Sequence, residues 1–304
     1  MNAASSRPIL AGTLLVFAAA IGFSLKAVLV KLAYAHGVDT VTLLALRMGF
    51  SLPFFLTAMF WIRARDSRVR LTPRDALAVV ALGFIGYYLS SYFDFLGLRY
   101  VSAGLERLIL FAYPSIVLLL SAAFLRRPIT LVDVCALLLS YAGIGLACAD
   151  DVSFKGPHGV AGALWVAASA MSYALYLLGS GQMIVRLGVV QFTAYAMTVS
   201  CVVVMLQFLA GHPLAALVLP LPVYELAFVM AIVSTVGPAF LLSAGIRRIG
   251  ASQASLISAI GPISTIVFGH LLLAEPVTTL QIVGTLLVCA GTLAVSGVFK
   301  KRAP

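Results

Sequence analysis

The chain has 304 residues, of which 62% are hydrophobic and only 10% are charged, and its mean hydropathy is +1.10. Soluble domains carry about 25% charged residues, so this composition excludes a soluble protein and indicates one that resides in lipid. The formal charge of +10 does not indicate nucleic-acid binding, because the excess basic residues lie in loops, where they set membrane orientation.

Ten apolar segments follow one another along the chain. About 20 apolar residues are needed to span a bilayer as a helix. The predicted spans are 9–34, 41–62, 76–98, 103–125, 130–149, 159–179, 191–210, 223–245, 252–273 and 278–298. The first segment continues past Lys26 to Ala33, which is longer than the apolar core of a secretory signal, so we predict that it is retained as a span.

The loops between these segments carry very different charge on the two sides. An even number of spans places both termini on one side. That side carries fourteen basic residues: Arg7, Arg63, Arg65, Arg68, Arg70, Arg74, Arg126, Arg127, Arg186, Arg247, Arg248, Lys300, Lys301 and Arg302. The other side carries only Arg99 and Lys155. Because cytoplasmic loops are enriched in Lys and Arg, we predict a multi-pass protein of the inner (cytoplasmic) membrane with both termini in the cytoplasm.

One long stretch of the sequence occurs twice. Residues 98–146 recur as 246–294, displaced by 148 positions without a gap. The matching pairs are Arg99/Arg247, Ala103/Ala251, Leu108/Leu256, Pro114/Pro262, Pro128/Pro276, Thr130/Thr278 and Gly143/Gly291. Because the second copy begins five spans after the first, and five is odd, the copies must be inverted across the membrane. We therefore predict an all-α integral membrane fold of ten transmembrane helices, built as two inverted five-helix repeats at 1–150 and 155–304.

Six ionisable residues lie at membrane depth, all in the first repeat and in the outer half of the bilayer. They are Lys26, Lys31, Arg47, Asp94, Glu106 and Arg107. Such residues are functional candidates by default, because an unpaired charge is costly in lipid. They form either a structural ion-pair cluster or a substrate vestibule in which positive charge exceeds negative. Lys26 is the deepest and is the candidate for direct substrate contact or coupling; Glu106 and Arg107 are candidates for a gate or coupling.

Uncharged polar residues repeat at helical spacing in three spans, and such a face can line a path. Span three has Tyr87, Ser90, Ser91 and Asp94; span six has Trp165, Ser169, Ser172, Tyr173 and Tyr176; span nine has Ser252, Ser255 and Ser258. Within these stripes we predict substrate contact for Tyr87, Ser91, Asp94, Trp165, Ser169, Ser172, Tyr173, Tyr176, Ser255 and Ser258, and the alternative is close packing by small residues. Pro114, Pro238 and Pro262 mark bends that could act as gates, because a cavity can satisfy the carbonyls that proline frees.

Motifs for other chemistry do not occur in the sequence. The four cysteines lie in apolar segments without CxxC spacing, and the four histidines are scattered, so we expect no metal site and no cofactor. The sequence has no P-loop, no GxSxG and no Rossmann fingerprint in a strand–helix context. Spans five and ten are rich in glycine and could pack against a partner, so both a monomer and a homodimer stay open.

Residues shared by the two repeats carry a family resemblance. The first repeat has the run Tyr100-Val101-Ser102-Ala103-Gly104 with Pro114, Pro128, Thr130 and Gly143, and the second has Ile249-Gly250-Ala251, Pro262, Ala274-Glu275-Pro276-Val277-Thr278 and Gly291. This pattern resembles that of the EamA-like members of the drug/metabolite transporter superfamily. The resemblance implies a ten-helix carrier with a central cavity, moving metabolites, amino acids or drugs outward. The sequence departs from the family pattern where Arg127 stands at the position that Glu275 occupies in the second repeat.

The sequence therefore predicts a secondary transporter, not an enzyme, that exports small metabolites such as amino acids by alternating access. Lys26 would attract a substrate carboxylate, while Asp94 or Glu106 would bind an amine or carry a coupling proton. Trp165, Tyr173 and Tyr176 would contact the apolar body of the substrate. The alternatives are a passive channel and a membrane enzyme using the two carboxylates as an acid/base pair. Substrate, coupling ion and direction are not determined by the sequence.

Overall fold

The computed structural model describes residues 3–65, 71–126 and 128–295. Within these ranges every regular element is a helix, and no β-strand occurs. The predicted all-α class is therefore confirmed. The helices are α1 (Ala3–Tyr34), α2 (Thr40–Arg65), α3 (Pro73–Gly83), α4 (Ser90–Gly97), α5 (Ala103–Leu110), α6 (Tyr113–Leu125), α7 (Leu131–Asp150), α8 (Gly159–Leu187), α9 (Val189–Gly211), α10 (Leu221–Ala231), α11 (Gly237–Ser258), α12 (Ile260–Leu273) and α13 (Thr279–Val295).

Eight helical stretches are long and apolar enough to cross a membrane. They are Ile9–Tyr34, Thr40–Trp61, Pro73–Gly97, Ala103–Phe124, Leu131–Asp150, Gly159–Gly181, Val189–Gly211 and Leu221–Ile249. The helices α12 and α13 are apolar but shorter, with 14 and 17 residues. At a rise of 1.5 Å per residue, α12 alone extends only about 21 Å. Membrane crossing is thus supported for eight segments of the described chain, and the count of ten stays a prediction.

One expected loop is absent from the described chain, because α11 runs unbroken through Arg247 and Arg248. We expected segment eight to end near residue 245 and segment nine to begin near 252. In the first repeat the helix restarts at Ser102, whose side chain accepts a hydrogen bond from the N–H of Leu105. The corresponding position is Gly250, which offers no side-chain acceptor to cap a new helix.

A π-helical turn interrupts the same span of each half. The first lies at Phe84–Leu89, between α3 and α4, and the second at Ile232–Val236, between α10 and α11. Their starts are 148 positions apart, so they stand at equivalent places in the sequence repeat. A π turn inserts a residue into the helical ladder, and such turns are frequent at functional sites.

Two more backbone features recur at the same displacement. The helices α5 and α11 both stop where Phe111 and Ala259 follow, and a new helix starts within two residues. Arg126 and Ala274, which end α6 and α12, have left-handed φ angles of 54° and 53°. Each of these pairs is 148 positions apart, so the sequence repeat is also a repeat of local backbone conformation.

Helix packing follows one scheme in both halves. The first helix of each half packs against the third-span helix of the other half, as α1 with α11 and α8 with α4, while α2 packs on α9 and α7 on α13. The set of contacts is unchanged when the halves are exchanged. At the crossing of α7 and α13, a Cβ on Gly143 would lie 2.5 Å from the carbonyl oxygen of Gly284, and the reverse distance is also 2.5 Å. The glycine-rich helices of the two halves thus pack against each other.

Candidate functional site

A cavity of about 310 Å³ lies between the two halves of the molecule. Its lining comes from α1, α2, the first π turn, α4, α5 and α6 on one side, and from α8, α9, the second π turn and α11 on the other. Ligand sites between the helices of a bundle are common, and this volume is at the lower end of the usual range for small-molecule pockets.

Four tyrosines form one wall of the cavity, which we call the tyrosine wall: Tyr87, Tyr113, Tyr173 and Tyr176. The Tyr87 and Tyr176 hydroxyl oxygens are 3.0 Å apart and share a hydrogen bond. The Tyr173 and Tyr176 rings stack with their centroids 5.7 Å apart, and the Tyr113 ring meets Tyr173 edge-on at 5.1 Å. The rings therefore hold one another and turn a broad apolar surface to the cavity.

Local backbone geometry creates the room for this wall. Gly86 lies in the first π turn, and a Cβ at that position would be 2.2 Å from Cγ of Tyr176. Glycine is therefore required there for the Tyr176 ring to lie against the turn. The Ser172 hydroxyl donates to the carbonyl oxygen of Ile85 in the same turn, so α8 is joined to the π turn by a side-chain hydrogen bond as well.

Lys26 lines the cavity, and its ammonium pairs with two carboxylates that lie away from the cavity. Its Nζ lies 2.6 Å from Oδ2 of Asp94 and 3.7 Å from Oε1 of Glu106. Asp94 is 1% exposed and Glu106 is fully buried, and neither lines the cavity. The ion-pair alternative therefore describes these carboxylates, with Lys26 as their partner.

Two arginines complete the charged part of the lining. Arg47 donates from Nε to Oγ1 of Thr235 at 2.9 Å, and its guanidinium lies 5.3 Å from the centre of the Phe95 ring. Arg107 lies with Cζ 5.9 Å from the centre of the Phe111 ring. Among the described residues, Nη1 of Arg47 and Nε of Arg107 have no hydrogen-bond partner, and neither arginine forms a salt bridge. Both arginines therefore line the cavity without a carboxylate partner among the described residues.

The serines of the predicted site divide into two groups. Ser91 and Ser258 line the cavity, although the Ser258 hydroxyl donates to the carbonyl oxygen of Ala254 in its own helix. Ser169 is buried between helices and donates to the carbonyl oxygen of Ser90 at 2.8 Å. Like Ser172, it joins α8 to the span opposite and does not line the cavity. The side chain of Ser255 lies outside the described side chains.

Trp165 is placed away from the cavity, on the outside of the bundle. Its side chain is 38% exposed, and its ring stacks on Phe93 with a centroid distance of 5.5 Å. The structure therefore brings Tyr173 and Tyr176 to the cavity and leaves Trp165 of the same stripe outside it.

The three candidate prolines each stand just after a helix interruption. Pro114 is the second residue of α6, Pro262 the third of α12, and Pro238 the second of α11 after the second π turn. In the first turn of a helix proline sacrifices no intrahelical hydrogen bond. Pro114 and Pro262 thus mark breaks in the spans, whereas Pro238 follows a π turn inside one continuous helical stretch, Leu221–Ile249.

Several lining residues were not among the predicted site residues. They are Ser90, Arg47, Tyr113, Ser180, Thr193, Ser234 and Thr235. Arg47 carried a usable signal, because it is an ionisable residue at membrane depth, only 5% exposed. For single hydroxyl residues in apolar helices the sequence carries no comparable signal.

The two ends of the cavity differ. At one end the lining continues to Ile184, Val189 and Ile246, beside the turn between α8 and α9. Beyond Lys26, toward the end of α1, lie contacts that we call the closed end, whose residues do not line the cavity. There the Glu275 carboxylate accepts hydrogen bonds from the N–H groups of Ala103 at 2.9 Å and Gly104 at 3.4 Å.

Lys31 adds to the closed end. Its Nζ donates to the carbonyl oxygen of Val101 at 2.7 Å and lies 3.9 Å from Oε1 of Glu275. The N-terminal turn of α5 is therefore held by a carboxylate from the second half and a lysine from the first. An acidic cavity of about 390 Å³, lined by Asp150, Asp151 and Glu275, lies beside it.

Among the described residues no cluster of His, Cys, Asp and Glu is arranged to hold a metal ion.

Comparison with known proteins places the chain among transporters. The sequence model of the EamA-like transporter family matches the chain twice, at residues 10–148 and 160–297. The uncharacterized transporter YcbK of Bacillus subtilis is 32% identical over 289 residues, which cover 94% of this chain and 91% of that protein. The uncharacterized transporter YyaM of the same organism is 24% identical over 84% of each chain. An uncharacterized transporter of Archaeoglobus fulgidus is 26% identical over 73% of this chain and 78% of its own length.

A solved crystal structure has the same fold. It matches with a TM-score of 0.66 at 19% sequence identity and covers 96% of this chain and 98% of its own. At this identity the likeness concerns the fold alone.

Proposed function

Because the chain belongs to the EamA-like transporter family, we propose that it is a secondary transporter that exports small metabolites such as amino acids across the cytoplasmic membrane by alternating access. One observation carries the proposal: a cavity of about 310 Å³ between two similarly built halves, lined by both and carrying charged groups at membrane depth. In transporters built from repeats, substrate sites lie near the midplane at the interface of the repeats.

The proposed architecture is ten spans in two inverted repeats, with α12 and α13 in the ninth and tenth spans. The equivalent π turns, the equivalent left-handed residues and the packing scheme that is unchanged on exchange of the halves support it. Inversion also explains the charge difference between the Arg126-Arg127-Pro128 and Ala274-Glu275-Pro276 turns, because only cytoplasmic turns are enriched in basic residues.

The direction of access follows from the loop charges. With both termini in the cytoplasm, the end of the cavity at Ile184 and Val189 faces the cytoplasm, and the closed end at Glu275 faces outward. The structure then corresponds to an inward-facing state, in which a cytoplasmic substrate reaches Lys26 and the tyrosine wall. Export requires the halves to rock, so that the contacts of Glu275 with α5 break and the cytoplasmic end closes.

A passive channel is the second candidate. A channel needs a continuous path, whereas in this structure the hydrogen bonds of Glu275 and Lys31 hold the start of α5 at the closed end. The two mechanisms differ in one measurable property: a carrier coupled to a proton or another ion accumulates substrate against its gradient, and a channel does not.

The experiment is counterflow of labelled amino acids and other small metabolites in liposomes that contain the purified protein. We expect Lys26→Ala and Tyr176→Ala to lower the initial rate by at least about tenfold, which corresponds to about 1.4 kcal/mol of lost interaction. The matched control is Trp165→Ala, which removes an aromatic side chain of the same helix that lies outside the cavity.

The possible results distinguish a failure of the transport proposal from a failure of the site assignment. Wild-type rates in both cavity variants would overturn the site assignment. Wild-type protein that catalyses no counterflow of any small metabolite would overturn the transport proposal. Flux without counterflow, and without accumulation under an imposed proton gradient, would favour the channel.

A further inference from the structure

The polarity of the cavity narrows the class of substrate, and this inference rests on the proposed transport function. Three cationic side chains line the described cavity, Lys26, Arg47 and Arg107, whereas no Asp or Glu does. The two carboxylates nearby, Asp94 and Glu106, lie behind Lys26 and are buried.

Charge balance in this region is incomplete. Lys26 is paired with the Asp94 carboxylate at 2.6 Å, whereas Arg47 and Arg107 have no carboxylate partner among the described residues, so positive charge is in excess on the lining of the cavity. Buried charge is costly unless it is paired. A ligand with a negative charge would reduce this excess, and the guanidinium groups of Arg47 and Arg107, which line the cavity, are suited to carboxylate, because a guanidinium can bind it with two parallel hydrogen bonds.

An amine has no comparable partner on the lining. An ammonium in the cavity would face three cations, and the carboxylates that could neutralise it are engaged by Lys26 at 2.6 Å and 3.7 Å. Placing a desolvated ammonium there without a counter-charge is unfavourable. The cavity therefore disfavours the positive group of an amino acid while it accepts the negative one.

The tyrosine wall specifies the rest of the ligand. The hydroxyls of Tyr87 and Tyr176 bond to each other, so this part of the wall offers ring faces more than free hydroxyls. Stacked and edge-on tyrosine rings favour a flat or aromatic body. The volume of about 310 Å³ limits the ligand to a small molecule.

We infer that the substrate is a small carboxylate anion with an aromatic or flat apolar body and without a free amine, bound through its carboxylate by Arg47 and Arg107 and through its body by the tyrosine wall. The substrate class is therefore narrower than amino acids in general, and a deaminated aromatic acid fits the site better than the amino acid of the same skeleton.

The test compares three probes of one skeleton: 3-phenylpropanoate as the anion, phenylalanine as the zwitterion and 2-phenylethylamine as the cation. Binding is measured as the ligand-dependent rise in Tm of the purified protein in detergent, and transport as counterflow in liposomes. We expect 3-phenylpropanoate to act at an at least about tenfold lower concentration than phenylalanine, and 2-phenylethylamine to give no effect.

Variants assign the effect to the arginines. Arg47→Gln and Arg107→Gln each remove a cation of the lining and should raise the half-maximal concentration of 3-phenylpropanoate by at least about tenfold. Arg99→Gln is the matched control, because Arg99 lies outside the cavity, with its guanidinium 5.7 Å from the centre of the Tyr34 ring. If Arg47→Gln does not fold, the inference is tested by Arg107→Gln and by the probe series in the wild type.

Phenylalanine that binds or exchanges as well as 3-phenylpropanoate would overturn the inference, as would unchanged 3-phenylpropanoate binding in a folded arginine variant. The failure of the proposed function looks different: the wild type would bind probes without any counterflow. Counterflow of amino acids in preference to deaminated acids would leave transport intact and overturn only the substrate class.

Discussion

At the scale of single residues, the partner of Lys26 changes the interpretation of the site. Membrane depth identified Lys26 as a functional candidate that attracts a substrate carboxylate. In the structure its ammonium is already 2.6 Å from the Asp94 carboxylate, and the side chains of this pair are 15% and 2% exposed. Lys26 thus partners two buried carboxylates, which leaves the arginines as the cations of the lining without a carboxylate partner among the described residues.

This arrangement makes a stability prediction for Lys26. In Lys26→Met the Asp94 and Glu106 carboxylates lose their ammonium, and breaking a buried pair in this way costs about 3–5 kcal/mol. We expect a clearly lower Tm in detergent, with partial recovery in the double variant Lys26→Met/Asp94→Asn, because one uncompensated charge is then removed. A single variant that unfolds at the wild-type temperature would contradict the pairing, and a double variant no more stable than the single one would contradict the explanation.

At the scale of elements, interruptions of the helices position the site. Each π turn contributes cavity residues: Tyr87 comes from the first, and Ser234 and Thr235 come from the second. The restarts after Phe111 and Ala259 bring the neighbouring turns to the same cavity. An uninterrupted helix would present these side chains at other angles, so the interruptions determine which residues face the cavity.

The contact between α7 and α13 predicts an asymmetric response to alanine. In Gly143→Ala the new Cβ would lie 2.5 Å from the carbonyl oxygen of Gly284 and 2.9 Å from Cγ2 of Val288, so the helices must separate at a cost of about 1–3 kcal/mol. Gly145 has open space around it, and Gly145→Ala should be neutral or stabilising by up to about 1 kcal/mol. Thermal unfolding in detergent measures both; equal values would argue against the close crossing.

At the scale of the whole molecule, contacts between the two halves hold the closed end. The closed end depends on bonds between the halves, because Glu275 belongs to the second half and Ala103 to the first. The proposed alternating access requires that these bonds form and break in each cycle. The closed end is therefore where we expect a single substitution to shift the equilibrium between the inward-facing and outward-facing states.

Thiol labelling of intact cells tests this expectation. In a background without native cysteines, Ser91→Cys places a thiol in the cavity. Adding Glu275→Ala removes the hydrogen bonds to α5, and losing about 1 kcal/mol should increase labelling by an impermeant reagent at least about fivefold. Asp150→Ala is the matched control, because Asp150 lines the neighbouring acidic cavity and its carboxylate is 4.0 Å from the exposed Lys155 ammonium.

Two further cysteines check the orientation in the same cells. Ala215→Cys lies in the loop between α9 and α10, which the loop charges place outside, and should be labelled in every background. Arg74→Cys lies at the start of α3 on the basic side and should be protected until the cells are opened. The reverse pattern would overturn the proposed orientation, and unchanged Ser91→Cys labelling in Glu275→Ala would contradict a gate at the closed end.

Much of the architecture was predictable because it depends on composition and on position along the chain. The apolar segments, the positive loops and the exact displacement of 148 positions are one-dimensional properties, and the π turns and left-handed residues recur at that displacement. The unbroken α11 was not expected. We attribute it to a local difference between the repeats. Ser102 caps the start of α5 in the first repeat, whereas Gly250 at the equivalent position has no side chain that could cap a helix.

The sequence by itself determined that this is an all-helical membrane protein of the EamA-like family, made of two related halves with charges at membrane depth. Only the tertiary structure decided which of those charges face the cavity. Depth along a helix follows from counting residues, whereas the direction of a side chain depends on helix rotation and on the neighbouring helices. Trp165 and Tyr176 share a predicted face, yet only Tyr176 meets the space that Gly86 opens. Asp94 belongs to the same predicted stripe as the cavity residues Tyr87 and Ser91, yet its carboxylate points to Lys26, because a buried charge without a partner is strongly unfavourable.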